Sequence, residues 1–439
     1  MKKKRVVGLI LLMLWGSVPL TAQEKQRYKL DLEKMFELAD QNSRSIRTFD
    51  LAAQEAAQAV KVVKNAMLPA VDVSLSASYL GDGWMAGRDF SGGMNAPMPH
   101  FGNNFVLEAT QVVYAGGAIS SSVAVAKLQQ QLAELDKEEN KQNIRFLLVG
   151  NYLELYKLGN QAEVYAKNIE QTQRLLADIK AKQKEGLAIK NDITRYELQL
   201  KTLELALTQT ENGQIILNNQ LVTTLGLPLE TSIEADSSIL AFIPQVVAEN
   251  HWQETAVTVA PAMKQAQLGV EQSKQGEKMA RAERLPSIAL FAGDHLDGPI
   301  IIEVPPINKN FNYWYVGVGL KFNIASAYKS RRNMRLAGLS TQWAQENEQL
   351  LKENLQTEVK AAYVRFTESF TTYETQVKSL ELAMENYDVV QNRYLNELAL
   401  ITDMLDASNV KLTAELQVAN ARINILFNYY RLKKAAGDL

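Results

Sequence analysis

The most constraining feature of the sequence is a very long tract, from Leu339 to Ala436, that contains neither glycine nor proline. Within it, apolar residues recur at alternating steps of four and three, a 3.5-residue period that is typical of helices packed as left-handed coiled coils. The positions with this period are Val359, Tyr363, Phe366, Phe370, Tyr373, Val377, Leu380, Met384 and Tyr387. The roughly 70 residues that precede a turn near 397–403 would span about 100 Å as a helix. We therefore predict an elongated helical hairpin instead of a globular domain.

The same plan occurs twice in the chain. Leu68-Pro69 and Leu285-Pro286 each precede a run of alternating apolar and polar residues, and Leu187-Ala188 has its counterpart 211 residues later at Leu398-Ala399. Each half reads helix, strand, long loop, strand and very long helical tract. Landmarks repeated at a nearly constant spacing indicate an internal duplication.

Residues 1–22 are predicted to be a secretory signal peptide, because a basic start and a short apolar run end at the small residue Ala22. The alternative is a membrane anchor, but the apolar run is shorter than the ~20 residues of a spanning helix. Residues 1–22 hold four of the 47 Lys and Arg residues and none of the 49 Asp and Glu residues, so the remainder has a net charge of −6. This acidic balance does not favour binding to nucleic acid.

The remaining chain divides into two predicted repeats, 23–228 and 257–439, which a linker or equatorial segment at 229–256 connects. The first repeat is predicted to contain strands at about 70–80 and 104–114, an outer loop at 81–103 and long helices over about 118–225. The second is predicted to contain strands at about 286–293 and 311–323, an outer loop at 294–310 and long helices over about 327–436.

The strands alternate with period two, which places their apolar residues on one face. In the first strand the odd residues from Val71 to Tyr79 are apolar and the even ones are Asp or Ser, and in the last strand Trp314, Val316 and Val318 share a face. A length of ~10 residues suits a strand that crosses an outer membrane at a tilt. The alternative is a soluble sandwich with one wet face.

Four strands cannot close a barrel in lipid, where an open edge is not tolerated and single-chain barrels begin at about eight strands. The chain must therefore assemble, as a dimer with eight strands or as a trimer with 12. The residues alone do not choose between these two assemblies.

The residues that catalysis needs are scarce. The chain has no cysteine and three histidines that are far apart in sequence, and it has no GxxxxGK phosphate loop. We therefore expect a protein that is not an enzyme and that has no catalytic residues, no metal site and no cofactor.

Several short motifs, in this order within a twofold repeat, carry a resemblance to a known family. They are the duplicated Leu-Pro before a strand, Tyr114-Ala115-Gly116-Gly117 at a strand-to-helix turn, Leu225-Gly226-Leu227-Pro228 after the first half, and YLNELALITDMLDA at 394–407. Over its mature length the chain resembles the TolC family of outer-membrane efflux channels. The resemblance implies a membrane α/β protein with a TolC-like duplicated helix–strand–strand–helix protomer. It implies a trimer with a 12-stranded transmembrane β-barrel, continued by a long α-helical periplasmic tunnel.

The resemblance also implies a function and a location. The chain would be the outer-membrane exit duct of a tripartite efflux pump, passively conducting small toxic molecules or drugs, in the outer membrane of a Gram-negative bacterium, multi-pass and with a periplasmic extension. Its partners would be two further copies of itself, a periplasmic adaptor protein, a proton-driven or ATP-driven inner-membrane pump and outer-membrane lipid. One alternative is the outer-membrane component of a type I protein secretion system. An alternative of another class is an exported structural coiled-coil protein or adhesin.

Two acidic residues match the family's periplasmic gate. Asp403 and Asp406 would form carboxylate rings in the trimer, which attract cations and repel anions. The alternative is a solvated helix face, because residues one turn apart on a helix share a face.

The resemblance places adaptor docking at the hairpin tips, at Gly186, Leu187, Ala188 and Leu398. For Gly186 the alternative is a simple helix C-cap. The chain departs from the family at Glu397, where the second tip usually has glycine. It departs again at Ala399, where some members have a basic residue that latches the closed gate.

Overall fold

The computed structural model describes residues 27–236, 242–303 and 305–439. The predicted signal peptide, 1–22, lies outside these residues. The described chain follows the helix–strand–strand–helix plan twice, which confirms the predicted duplicated protomer.

In the first repeat, the elements are β1 (Arg27–Leu30), α1 (Leu32–Asn42), α2 (Arg44–Lys64), β2 (Ala70–Tyr79), β3 (Gly83–Met85), β4 (Met94–Ala96), β5 (Phe101–Ala115), α3 (Ala118–Lys184) and α4 (Lys190–Leu225). The linker contains β6 (Ser232–Ala235) and the start of α5 (Glu249–Val259). In the second repeat, the elements are α6 (Pro261–Ala282), β7 (Ser287–Gly298), β8 (Phe311–Lys321), α7 (Ser326–Leu395) and α8 (Ile401–Ala435).

The four long strands form one antiparallel sheet in the order β2-β5-β7-β8. The helices α2, α3, α6 and α7 adjoin the same end of the sheet, since each helix directly precedes or follows a strand. They pack side by side in the same order as the strands. The outer loops connect the strands at the opposite end.

Two helices determine the length of the molecule. α3 contains 67 residues and α7 contains 70, so each extends over about 100 Å. α4 returns along α3, and α8 returns along α7. The predicted helical hairpins are therefore present, with their tips at residues 185–189 and 396–400.

A compact core lies where the chain passes between the two repeats. β1 and β6 pair in parallel, and they cover a cluster of buried side chains from α1, α3, α4 and α8. The hydroxyl of the fully buried Tyr152 donates to the carbonyl of Leu30 at 2.6 Å and accepts from the N–H of Asp236 at 2.7 Å. One side chain thus holds both short strands on α3.

The outer-loop ends of the sheet differ from the prediction. β7 extends to Gly298 and β5 begins at Phe101, so 294–298 and 101–103 are strand where a loop was predicted. The extension is stabilised because these β7 residues pair with β5 on one side and β8 on the other, and the His295 ring stacks on Tyr313 at a centroid distance of 5.0 Å. The first outer loop contains the short hairpin of β3 and β4 despite its many glycines.

Candidate functional site

The apolar face of the sheet is open. Val73 and Leu75 of β2 expose 65% and 77% of their surface, and Trp314 and Val318 of β8 expose 74% and 69%. A soluble protein would cover such a face, since a large exposed apolar patch marks a membrane or protein contact. The face predicted to contact lipid is the exposed one.

Aromatic rings cover glycines on the opposite face of the sheet. A Cβ at Gly293 would lie 2.5 Å from the ring of Tyr315, and one at Gly317 would lie 2.5 Å from the ring of Phe291. The Tyr315 hydroxyl donates to Glu108 at 3.3 Å. The glycines of this face thus leave room for the rings of the neighbouring strand.

Both edges of the sheet are unpaired in the part of the chain that the structure describes. β2 and β8 are the terminal strands, and each has one row of backbone N–H and C=O groups with no strand beside it. Unpaired edges are costly in lipid and invite pairing with another chain.

The two hairpin tips share the backbone hydrogen bond that closes the turn. The N–H of Leu187 donates to the carbonyl of Lys182 at 2.9 Å, and the N–H of Leu398 donates to that of Arg393 at 2.8 Å. This bond belongs to the Schellman motif, in which the residue before the donor is left-handed. Gly186 has φ +77° at the first tip, as the predicted C-cap interpretation requires. Glu397 has φ +63° at the second tip, in the position where glycine is usual.

The predicted docking residues divide into two groups. Gly186, Leu187 and Leu398 are exposed, with Leu187 at 61% and Leu398 at 68%. Ala188, in contrast, is partly buried against the cluster that joins the two hairpins.

Sequence reasoning missed two further apolar residues at the tips. Ile189 and Leu400 expose 63% and 70% of their surface and lie two residues after Leu187 and Leu398. The signal that could have found them is the repeated Leu-Ala-apolar triplet at both tips, 187–189 and 398–400.

Asp403 and Asp406 are both exposed near the start of α8. The Asp403 carboxylate accepts the backbone N–H of Leu400 at 3.0 Å, and Asp192 accepts that of Ile189 at 3.2 Å in the first repeat. Asp403 therefore caps a helix, as an acidic residue in the first turn does. The sequence signal for this capping role is that an Asp, Asp192, stands at the equivalent position of the first repeat.

The two hairpins pack against each other just above the tips. Leu176, Ile179 and Tyr196 of the first hairpin contact Ile401 and Leu405 of the second. The Tyr196 hydroxyl is buried with no hydrogen-bond partner in the described part of the chain, and burial raises the pKa of this phenol.

The Tyr394 ring belongs to the same region. The Nζ of Lys182 lies 5.0 Å from its centroid, a cation–π contact between the first hairpin and the second. Partial burial raises the pKa of the Tyr394 phenol. The hairpin ends are thus a packed unit with an exposed apolar rim.

The described residues offer no other centre of chemistry. Among 27–236, 242–303 and 305–439, no three His, Cys, Asp or Glu side chains are grouped so that they could hold a metal ion. None of the helices described is both long and apolar enough to cross a bilayer.

Comparison with known proteins gives a family match for part of the chain and a fold for nearly all of it. Residues 252–438 match the model of the family described as outer membrane efflux protein. None of the curated proteins matches the chain.

Solved outer-membrane channels have a similar fold along almost their whole length. The outer membrane protein VceC of Vibrio cholerae is 15% identical, with a TM-score of 0.77 over 92% of this chain and 96% of that one. The channel OprN is 16% identical, with a TM-score of 0.76 over 93% and 90%. The CmeC channel of Campylobacter jejuni is 16% identical, with a TM-score of 0.75 over 93% and 85%.

These matches confirm the resemblance that the sequence motifs indicated. The solved channels support a TolC-like protomer fold for the whole described chain, and the family model covers its second repeat. The second repeat matches the outer membrane efflux protein family, and the described chain has the fold of solved outer-membrane channels.

Proposed function

We propose that this protein is the outer-membrane exit duct of a tripartite efflux pump. It conducts small toxic molecules or drugs passively and catalyses no reaction. The observation that carries the proposal is the sheet, whose exposed apolar face and two unpaired edges suit a barrel wall in lipid.

Assembly follows from these edges. β8 of one protomer pairs with β2 of the next, so that no backbone edge is left in the membrane. Three protomers with four strands each form a closed barrel of 12 strands. The TolC-like fold favours the trimer over the dimer. The long helices continue the wall as a tunnel of about 100 Å into the periplasm.

The exposed apolar rim at the tips supports docking of a periplasmic adaptor. Leu187, Ile189, Leu398 and Leu400 lie at the end farthest from the sheet and are exposed in the protomer. Apolar side chains in this arrangement suit packing against a partner's helices. An inner-membrane pump delivers the substrate through that adaptor.

We assign the gate to the start of α8. Threefold repetition brings the Asp403 and Asp406 carboxylates into rings, which favour cations over anions. Because the Asp403 carboxylate also accepts the N–H of Leu400, replacing Asp403 removes a charge and also removes the cap at the start of α8. Asp406, which is exposed on the next turn, is the cleaner test of charge.

The first experiment is single-channel recording of the purified protein in a planar bilayer. Wild type is expected to conduct with cation selectivity, and Asp406→Ala and Asp403→Ala are expected to reduce that selectivity and the block by polyvalent cations. The matched control is Glu358→Ala, an exposed carboxylate on α7 far from the tip. An inserted protein without conductance would remove the duct proposal in favour of a structural coiled-coil protein or adhesin. An unchanged reversal potential in both variants would remove the gate assignment.

A second experiment separates efflux from type I secretion. Cross-linking in intact cells followed by mass spectrometry is expected to recover an adaptor together with a proton-driven pump. Recovery of an adaptor with an ATP-driven protein exporter instead would assign the protein to type I secretion.

A further inference from the structure

A set of basic residues surrounds the junction between the sheet and the helices. The chain segments 61–69, 277–286 and 321–335, which lie next to the helix-side ends of β2, β7 and β8, contain ten Lys and Arg residues and two Glu residues. We call these ten cations the basic collar: Lys61, Lys64, Lys278, Arg281, Arg284, Lys321, Lys329, Arg331, Arg332 and Arg335. All ten are exposed.

The collar is confined to one end of the sheet. At the opposite end, the outer-loop segments 80–100 and 299–310 contain three carboxylates, Asp82, Asp89 and Glu303, and two cations, Arg88 and Lys309. The fourth helix at the collar, α3, begins with residues 118–126, which have no charge. The excess of positive charge therefore belongs to α2, α6, β8 and above all α7.

Most of the collar has no carboxylate partner. Within the described chain, Arg281 pairs with Glu277 at 3.2 Å, and no other collar residue has a carboxylate oxygen within 4.0 Å. Glu283 accepts instead from the Asn333 amide at 2.9 Å. Lys329 lies in the first turn of α7, which has no acidic residue, although the positive end of a helix dipole disfavours cations there.

The α7 part of the collar follows the apolar face of the sheet, whereas the alternation along β8 places Lys321 on the opposite face. Exposed apolar residues alternate with the cations from the end of β8 into α7: Phe322, Ile324, Tyr328 and Leu336. Long basic side chains beside exposed aromatic and aliphatic ones are typical of surfaces at the boundary between hydrocarbon and headgroups. The rise from Lys329 to Arg335 is about 9 Å, comparable with the roughly 5–8 Å of headgroup layer on one side of a bilayer.

Assembly would concentrate this charge further. Since β2 and β8 are the open edges of the sheet, pairing between protomers brings Lys61 and Lys64 of one copy beside the start of α7 of the next. Like charges this close repel one another unless an anion lies between them. This step depends on the proposed assembly into a barrel.

We propose that the basic collar binds the phosphate headgroups of anionic phospholipids in the membrane leaflet that faces the helices. The preferred lipids carry a net negative charge, as phosphatidylglycerol does, and the binding is strongest at the seams between protomers. The collar thereby fixes the depth of the barrel in the bilayer.

The test is native mass spectrometry of the purified oligomer, titrated separately with phosphatidylglycerol and with phosphatidylcholine of the same acyl chains. Wild type is expected to bind phosphatidylglycerol about tenfold more tightly, because Lys and Arg near the surface attract anionic lipid; tenfold corresponds to about 1.4 kcal/mol. The variant R331Q/R332Q/R335Q is expected to lose most of this preference. Raised salt is expected to reduce the preference of wild type as well.

The matched control is K360Q/R365Q/K378Q, which removes three exposed cations from α7 far from the sheet. It is expected to keep the wild-type preference. Single-channel conductance of all three proteins establishes that each is folded and assembled. It also tests the proposed function separately from the lipid preference.

Equal affinity of conducting wild type for the two lipids would overturn the proposal. So would a preference that survives in R331Q/R332Q/R335Q or disappears in the control variant. A different result would also overturn it: wild type shows no preference for phosphatidylglycerol but sediments with peptidoglycan, and R331Q/R332Q/R335Q does not sediment. The partner of the collar would then be the cell wall and not the membrane.

Discussion

At the first hairpin tip the chain turns at Gly186, whereas at the second tip, 211 residues later, it turns in the same left-handed conformation at Glu397. Both tips form the same 6→1 bond, to Lys182 and to Arg393, and both returning helices start with an Asp that accepts a backbone N–H. The comparison teaches that hydrogen bonds and caps define the turn. Glycine only lowers its conformational cost.

Above the tips, the two hairpins fill equivalent space with different pairs of side chains. In the first hairpin, Leu176 on the outgoing helix contacts Tyr196 on the returning helix. At the equivalent positions of the second hairpin, Tyr387 contacts Ala407. The tyrosine ring is therefore on the returning helix in the first hairpin and on the outgoing helix in the second. In each hairpin the residue that faces the ring is smaller.

The largest expected effect comes from exchanging this pair in the second hairpin. Ala407→Tyr overpacks a site that is 1% exposed, at a cost of about 1–3 kcal/mol. Tyr387→Leu leaves a cavity and also costs about 1–3 kcal/mol. The double variant reproduces the Leu–Tyr pair of the first hairpin and is expected to cost at least about 0.5 kcal/mol less than the sum of the two changes.

Thermal unfolding of the four proteins, followed by far-ultraviolet circular dichroism in detergent, measures this cycle. Strict additivity would show that the two positions do not share one packing site. The equivalence of the hairpins would then be limited to the backbone.

The next effect concerns the turn residues themselves. Gly186→Glu places a side chain in the left-handed region and is expected to cost about 1–2 kcal/mol. Glu397→Gly relieves that strain but adds freedom to the unfolded chain, so a net gain of about 0.5 kcal/mol is expected. A Cβ at Gly186 meets no atom within 4 Å, so the measured cost reports the backbone alone.

Denaturant unfolding with Gly269→Glu as a control separates conformation from charge, since Gly269 is helical, lacks a positive φ and also has open space around it. If Glu397→Gly destabilised the protein, the Glu397 side chain would have a stabilising role that its contacts do not reveal.

A smaller effect is expected at the helix starts. Asp192→Ala and Asp403→Ala each remove an acceptor for one backbone N–H and should each cost about 0.5–1 kcal/mol. Asp406→Ala removes an exposed carboxylate without a cap and should change stability by less than about 0.5 kcal/mol. The same unfolding assay applies, and unequal costs for Asp192 and Asp403 would break the equivalence of the two tips.

Much of the architecture was predictable because it depends on periodicity. The period of 3.5 residues in α7 and the period of two in β2 and β8 follow from helix and strand geometry, and the twofold repeat located the tips. The extension of β7 to Gly298 was not predictable, since it depends on pairing with two neighbouring strands and on the stacking of His295. Turn-forming residues suggested a loop there, and tertiary pairing overrode them.

The candidate site was predictable only in part, for a physical reason. Leu187 and Leu398 stand out in sequence, and they are exposed as a docking role requires. The burial of Ala188 depends on contact between the two hairpins, which no local pattern contains. The capping role of Asp403 was visible only through its counterpart Asp192, because one carboxylate can cap a helix or line a pore with the same sequence signature.

The smallest effect, and the one most specific to the first hairpin, is expected from Tyr196→Phe. The Tyr196 hydroxyl is buried without a partner, so its removal at neutral pH should be neutral or slightly stabilising. Because burial raises the pKa of this phenol above its ordinary value of 10.0, the folded state holds its proton longer than the unfolded state. The stability that this neutral phenol contributes is therefore fully present below the ordinary pKa and is lost as the pH rises above it, and Tyr196→Phe should lessen that alkaline loss.

Tyr152→Phe is the matched contrast, since it removes a hydroxyl with two bonds and should cost about 1–3 kcal/mol at neutral pH. Denaturant unfolding at neutral and alkaline pH compares them, and an equal cost at neutral pH would mean that the Tyr196 hydroxyl is hydrogen-bonded in the assembled protein.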